Sequence, residues 1–167
     1  APGCSTCPAG AVCPAPGLPA PQYCAAGEYN PDIGSQTEGS CRPCESGAFQ
    51  TATGATACDA CPPGTFSAAK GSTACTACKA GGYCEAGAVA PTLCAAGSYS
   101  AATGNAEQAN CTTCPAGSFC MAGASAALPC PSGRYQNANL AVMTSEDDCI
   151  ECPEGSFCST GAAQPTE

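Results

Sequence analysis

The sequence predicts a small disulfide-rich repeat: an elongated rod of short irregular β loops, with little regular secondary structure and no single hydrophobic core. Three observations predict it. Cysteine supplies 19 of the 167 residues, a density that marks a disulfide scaffold. The element Cys-x-x-Gly-x-aromatic recurs at Gly27/Tyr29, Gly47/Phe49, Gly64/Phe66, Gly81/Tyr83, Gly97/Tyr99, Gly117/Phe119, Gly133/Tyr135 and Gly155/Phe157, and a further copy, "CPAGAVC", carries Val12 in the aromatic slot. Of the five Tyr and four Phe residues, only Tyr23 lies outside that slot. An aromatic used almost nowhere else is a structural part of a repeated unit.

The absence of an oily core follows from composition. The apolar fraction of 44% is mostly alanine and cysteine, and the large aliphatic side chains are few and scattered. Burying one such side chain contributes about 2 kcal/mol, whereas ordering each residue costs about 1–2 kcal/mol. Apolar burial falls short, so covalent cross-links must hold the shape. Cross-links closing loops of about 15 residues stabilise by roughly 3 kcal/mol each. They persist in an oxidising setting, so the chain is expected in the extracellular space or at a cell surface.

The modules run in order. Residues 1–24 form a tight-loop module in which Cys4 closes a preceding one; 24–75 hold three consecutive longer loops. Residues 78–111 and 114–149 each join a tight loop to a longer one, and 152–167 start a further, incomplete module. In every module glycine admits φ > 0 beside the cysteine, and the aromatic two residues on lies over sulfur or over the next module's backbone. Strands are expected at 64–67 and 97–100. Gly, Pro and cross-link density argues against helix; the one stretch that accommodates a helical turn is Asn139–Ser145.

Two disulfide pairings fit the spacing. The sequential one joins Cys7–Cys13, Cys24–Cys41, Cys44–Cys58, Cys61–Cys75, Cys78–Cys84, Cys94–Cys111, Cys114–Cys120, Cys130–Cys149 and Cys152–Cys158, leaving Cys4 unpaired within the segment. A nested one places Cys84–Cys94 inside Cys78–Cys111, Cys120–Cys130 inside Cys114–Cys149 and Cys13–Cys24 inside Cys7–Cys41. The alternation of tight and longer loops favours the first; spacing alone leaves both open. The chain begins with Ala1 and its cysteine count is odd, so it is expected to be a processed chain or a fragment whose repeat continues.

Charge and composition exclude several functions. A net charge of −9 with four Lys and Arg argues against nucleic acid. With no histidine, Ser–His–Asp and Cys–His catalysis and His-metal sites are out. The CxxC pairs approach zinc-ribbon spacing, but they form a continuous ladder rather than sets of four. No cofactor and no enzyme activity are expected. No apolar run reaches the ~20 residues of a membrane span. Glu146, Asp147, Asp148, Glu151 and Glu154 crowd one stretch without the order of a calcium loop, which reads as a solvated acidic surface. Asn110-Cys111-Thr112 is an N-glycosylation sequon. Ser/Thr-rich loops such as 51–56, and the run holding Pro14, Pro16, Pro19 and Pro21, are candidates for O-linked sugar.

The segment "CRPCESGAFQTATGATACDACPPGTFSAAKGSTAC", Cys41 to Cys75, resembles the growth-factor-receptor class of cysteine-rich modules, above all the ephrin-receptor-like repeat and the smallest loop module of TNF receptors. The Ala/Gly/Pro-rich form, with "CPAGSFC" loops interleaved, is similar to repeats in protist and algal surface glycoproteins, including those of flagellar hair filaments (mastigonemes). That resemblance implies hydroxylated and glycosylated prolines in "CPAPGLPAPQYC". Together these features point to an extracellular structural glycoprotein, a building block of a surface or flagellar filament whose partners are itself or neighbouring chains. The alternative is a receptor ectodomain or adhesin segment, which predicts a concentrated patch of exposed aromatic or Arg side chains.

Overall fold

The protein is described by a computed structural model over residues 6–15 and 20–167. Cys4, Pro16 and Pro19 lie outside the described residues. Its unit of construction is a hairpin, and the reason lies in the opening motif. In Cys-x-x-Gly-x-aromatic the residue after Gly donates to the carbonyl three residues back, as Glu28 N–H does to Ala25 O and Ser118 N–H to Pro115 O. Gly27 and Gly117 sit at φ +84° and +74°, the left-handed geometry of the third position of a type II turn. The turn releases a two-residue strand, and the chain comes back to pair antiparallel with it just before the next opening cysteine.

Eight such two-stranded sheets are present among the described residues. They pair Ala11–Val12 with Gln22–Tyr23, Glu28–Tyr29 with Arg42–Pro43, Ala48–Phe49 with Asp59–Ala60, and Thr65–Phe66 with Thr76–Ala77. The series continues with Gly82–Tyr83 on Thr92–Leu93, Ser98–Tyr99 on Thr112–Thr113, Ser118–Phe119 on Leu128–Pro129, and Arg134–Gln136 on Cys149–Glu151. Residues 152–167 make the same turn, with Phe157 bridged antiparallel to Thr166. Nine repeats therefore open at Cys7, Cys24, Cys44, Cys61, Cys78, Cys94, Cys114, Cys130 and Cys152. A tight loop and the stretch that follows it, as in 78–93 and 114–129, make a hairpin of the same kind as a longer loop.

Among the described residues nine disulfides join neighbours along the chain: Cys7–Cys13, Cys24–Cys41, Cys44–Cys58, Cys61–Cys75, Cys78–Cys84, Cys94–Cys111, Cys114–Cys120, Cys130–Cys149 and Cys152–Cys158. The nested bridges are absent. The shorter of the longer loops separate their cysteines by 14 residues. Three others separate them by 17, 17 and 19, and each of these inserts a three-residue 3-10 turn before the closing cysteine: Glu38–Ser40, Gln108–Asn110 and Glu146–Asp148. Asn139–Ser145, expected to allow a helical turn, has none. The turn forms just beyond it because the Asp148 carboxylate accepts from the Thr144 and Ser145 amides and anchors 146–148 instead.

The repeats fall into two compact units, Ala1–Ala77 with Glu85–Ala90, and Cys78–Cys84 with Pro91–Glu167. In the first, the buried groups are mainly cysteines, with Ala11, Val12, Asn30 and Ser67. In the second, sulfur is again central, and one small apolar cluster of Phe119, Cys130, Met143 and Cys149 gathers, flanked by Leu140. Among the described residues neither unit has a large aliphatic core.

Candidate functional site

The most regular surface in the molecule is the seam between successive repeats. Within each unit the first-turn glycine donates its N–H to the residue that follows the next repeat's aromatic. In the first unit Gly10 donates to Asn30 O at 2.7 Å, Gly27 to Gln50 O at 2.8 Å and Gly47 to Ser67 O at 2.8 Å. In the second, Gly81 donates to Ser100 O at 2.8 Å, Gly97 to Cys120 O at 2.8 Å and Gly133 to Cys158 O at 2.9 Å; Gly117 donates to the Gln136 side chain. The residue after the aromatic then donates onward to the next repeat's second turn, as Gln50 N–H does to Ser72 O and Ser100 N–H to Ala124 O. That second turn returns a bond to the preceding opening cysteine: Gly54 N–H to Cys24 O, Gly123 N–H to Cys94 O.

Contacts also reach two repeats along. A Cβ placed on Gly10, Gly27 or Gly47 would overlap the carbonyl of Gly54, Gly71 or Gly87. In the second unit the same holds for Gly81 against Gly123 and Gly117 against Gly161. The eighth repeat departs from this pattern, with Val142 in the glycine's place and its side chain 2.7 Å from where a Cβ on Gly97 would stand. Backbone lies directly on backbone here, and only glycine leaves room for it.

One functional position was missed by reasoning from sequence: the residue directly after the aromatic. It is Asn30, Gln50, Ser67, Ser100 or Gln136 in longer-loop repeats and Cys13, Cys84, Cys120 or Cys158 in tight ones. Asn30 is fully buried, donating Nδ2–H to Ala11 O and accepting from Asp32 N–H. A tight loop thus places a half-cystine where a longer loop places a polar side chain, and the backbone path stays the same. Asn105 does related work from the second turn, its Nδ2 lying within bonding distance of Gly82 O, Ser100 Oγ and Ala102 O.

Among the described candidate modification sites, Asn110 and Pro14 are exposed. Asn110 is exposed; its Oδ1 accepts from the Ala106 and Glu107 amides at 3.1 Å, while its Nδ2, the atom a glycan would occupy, makes no hydrogen bond among the described residues. Pro14 is exposed and Pro21 half-buried. Of the acidic stretch, Asp148 is engaged in its own turn; the Thr144 amide, then the Ser145 amide and the Thr144 hydroxyl, hold its carboxyl below the usual range of 3.8. No group of three or more metal-ligating side chains occurs among the described residues. Among the described residues one open groove runs past Val12, Gln22, Tyr23, Glu28 and Glu38, and another past Ala116, Tyr135, Gln136, Gln164 and Pro165. No helix among the described residues is long and apolar enough to cross a membrane.

Disulfide-closed hairpins stacked in register, with sulfur in place of an aliphatic interior, define the class of small cysteine-rich repeat modules. The fold alone would fit many duties. Residues 33–78 match the family described as tyrosine-protein kinase ephrin type A/B receptor-like, and the resemblance drawn from Cys41–Cys75 falls inside that match. Comparison with curated proteins gives no match.

Proposed function

We propose that this chain is a non-catalytic structural segment of an extracellular glycoprotein, a building block of a cell-surface or flagellar filament or a similar assembly. The observation that carries this reading is the seam. Tyr29, Phe49, Phe66, Tyr83, Tyr99, Phe119 and Tyr135 are half-buried or buried in their repeats, so among the described residues Tyr23 and Phe157 alone are exposed aromatic anchors for a separate ligand. Extracellular placement is supported by the density of disulfides and by the receptor-like family match. The exposed residues Asn110 and Pro14 fit a sugar-coated exterior.

Mass spectrometry of unreduced, natively sourced protein tests the reading, combined with immunolocalisation. Intramolecular bridges, glycan mass on Asn110 or the proline run, and signal along extracellular filaments are the expected result. Bare peptides and a monomer dispersed over the cell membrane would refute it.

A receptor ectodomain or adhesin segment is the second reading. The family match favours it, as does Tyr23, 61% exposed beside a groove that carries Glu28 and Glu38. A basic protein ligand binding the native chain, and lost on Tyr23→Ala, would decide for it.

A further inference from the structure

A protease that cuts after basic residues finds its side chain in this sequence only at Arg42, Lys70, Lys79 and Arg134. Three of these lie inside disulfide-closed loops: Lys70 between Cys61 and Cys75, Lys79 between Cys78 and Cys84, and Arg134 between Cys130 and Cys149. Hydrolysis of the Lys70–Gly71 bond consumes one water and leaves a carboxylate on Lys70 and an amine on Gly71. The Cys61–Cys75 bridge still joins the two pieces. The same holds for a cut after Lys79 or after Arg134.

Arg42 is the exception. It stands between the bridges Cys24–Cys41 and Cys44–Cys58, so a cut there would part the chain. Both partners of its ion pair with Asp32 are exposed, and such a pair restrains a side chain only weakly. The residue that follows is Pro43. Proline has no N–H and its ring crowds the backbone before it, which makes the Arg42–Pro43 bond a poor substrate for these enzymes. The fold does not demand proline at that place. Before later opening cysteines the same position holds Ala60, Ala77, Leu93, Thr113, Pro129 or Glu151.

We propose that this segment is built to be nicked without being severed by extracellular proteases that cut after Lys or Arg. Loop bridges span three of the cuts, and Pro43 guards the fourth. Lys70 is cut first, because it is exposed at a turn, where chains are nicked most readily. Its ion pair with Glu45 is exposed as well and gives little protection. Lys79 lies in a loop whose cysteines are 6 residues apart, too short to extend into a protease cleft. Arg134 is half-buried in a strand paired with Glu151.

Trypsin digestion of the oxidised 167-residue protein, with mass spectrometry before and after reduction, tests the proposal. Before reduction a single species is expected, heavier by one water for each cut; after reduction the first pieces to appear should meet at Lys70–Gly71. Pro43→Ala keeps the Cβ that lies over Gly71, so the bridges should form as before by mass mapping, yet the same digestion should now yield two separate pieces before reduction. Separate pieces from the unreduced native chain overturn the proposal. So does a native chain left uncut at Lys70, or a Pro43→Ala protein that stays whole.

Discussion

Gly81→Ala, set against Gly133→Ala, isolates the close approach between alternate repeats. Both glycines hold a left-handed backbone, at φ +85° and +82°, so each alanine incurs a similar conformational cost of about 1–2 kcal/mol. Both also keep the same local bonds, accepting from the next opening cysteine and donating to the next repeat. They differ in surroundings. The new methyl at residue 81 falls on the Gly123 carbonyl, with Ala124 backbone at 3.3 Å; at residue 133 it meets nothing within 4 Å. Backbone cannot rotate aside as a side chain would, so the excess cost of Gly81→Ala is that of overpacking, about 1–3 kcal/mol. Native-state amide exchange reads it locally, at Ser100 and Gly123, whose N–H groups donate to Ala124 O and Cys94 O. At tenfold per 1.4 kcal/mol, exchange there should accelerate roughly five- to a hundredfold beyond the effect that Gly133→Ala has on its own seam. Equal effects in the two variants would show that the carbonyl stacking carries no energy, and the account of the seam would fail.

Asp148 should make the 146–148 turn sensitive to acid. Its pKa lies below the usual 3.8 in the folded chain, so its stabilisation is present above that value and is lost as pH falls through the lowered one. Exchange at the Thr144 and Ser145 amides should rise in that window, and Asp148→Ala should erase the pH dependence. Removing the Cys94–Cys111 bridge, 17 residues apart, should cost about 3 kcal/mol, and removing Cys78–Cys84, 6 apart, about 2 kcal/mol; denaturant titrations of the two double-serine variants check the order. Asn105→Ala removes a side chain that is 8% exposed and with it the two Nδ2–H donors shared among Gly82 O, Ser100 Oγ and Ala102 O, for an expected loss of about 1–3 kcal/mol, visible as a lower melting temperature than that of Thr103→Ala on the same loop.

Much of this fold can be read directly from the residues, and the parts that cannot have physical causes. Cys-x-x-Gly-x-aromatic announces a turn and a strand because glycine alone relaxes into the conformation required. The true period is harder to see, since the closing cysteine occupies two places along an otherwise constant path. Counting loops between cysteines makes Cys114–Cys120 look like a different object from Cys61–Cys75; counting from one opening cysteine to the next makes them alike. A second signal was present and passed over: glycine recurs seven residues after the first in four of the five longer-loop repeats, as Gly47 to Gly54, and six in three of the four tight ones, as Gly117 to Gly123. Its meaning lies in contacts with another repeat, which local propensity does not reveal. The 3-10 turn at Glu146–Asp148 escaped for a related reason: three acidic residues read as solvated charge until Asp148 is seen accepting backbone amides. The oxygens of Asn110 and Asp148 do equivalent work, capping the turn before a closing cysteine. The sequon and the acidic stretch therefore both sit on structural turns.

The position after the aromatic accepts either sulfur or an amide without rerouting the chain. Because the seams within each unit ask their neighbours for the same few backbone groups, a repeat excised whole there, from one opening cysteine to the next, leaves two cut surfaces that already match. Lengthening or shortening such a protein by duplication or loss of repeats therefore demands no coordinated change elsewhere, and its size can drift while its construction stays constant.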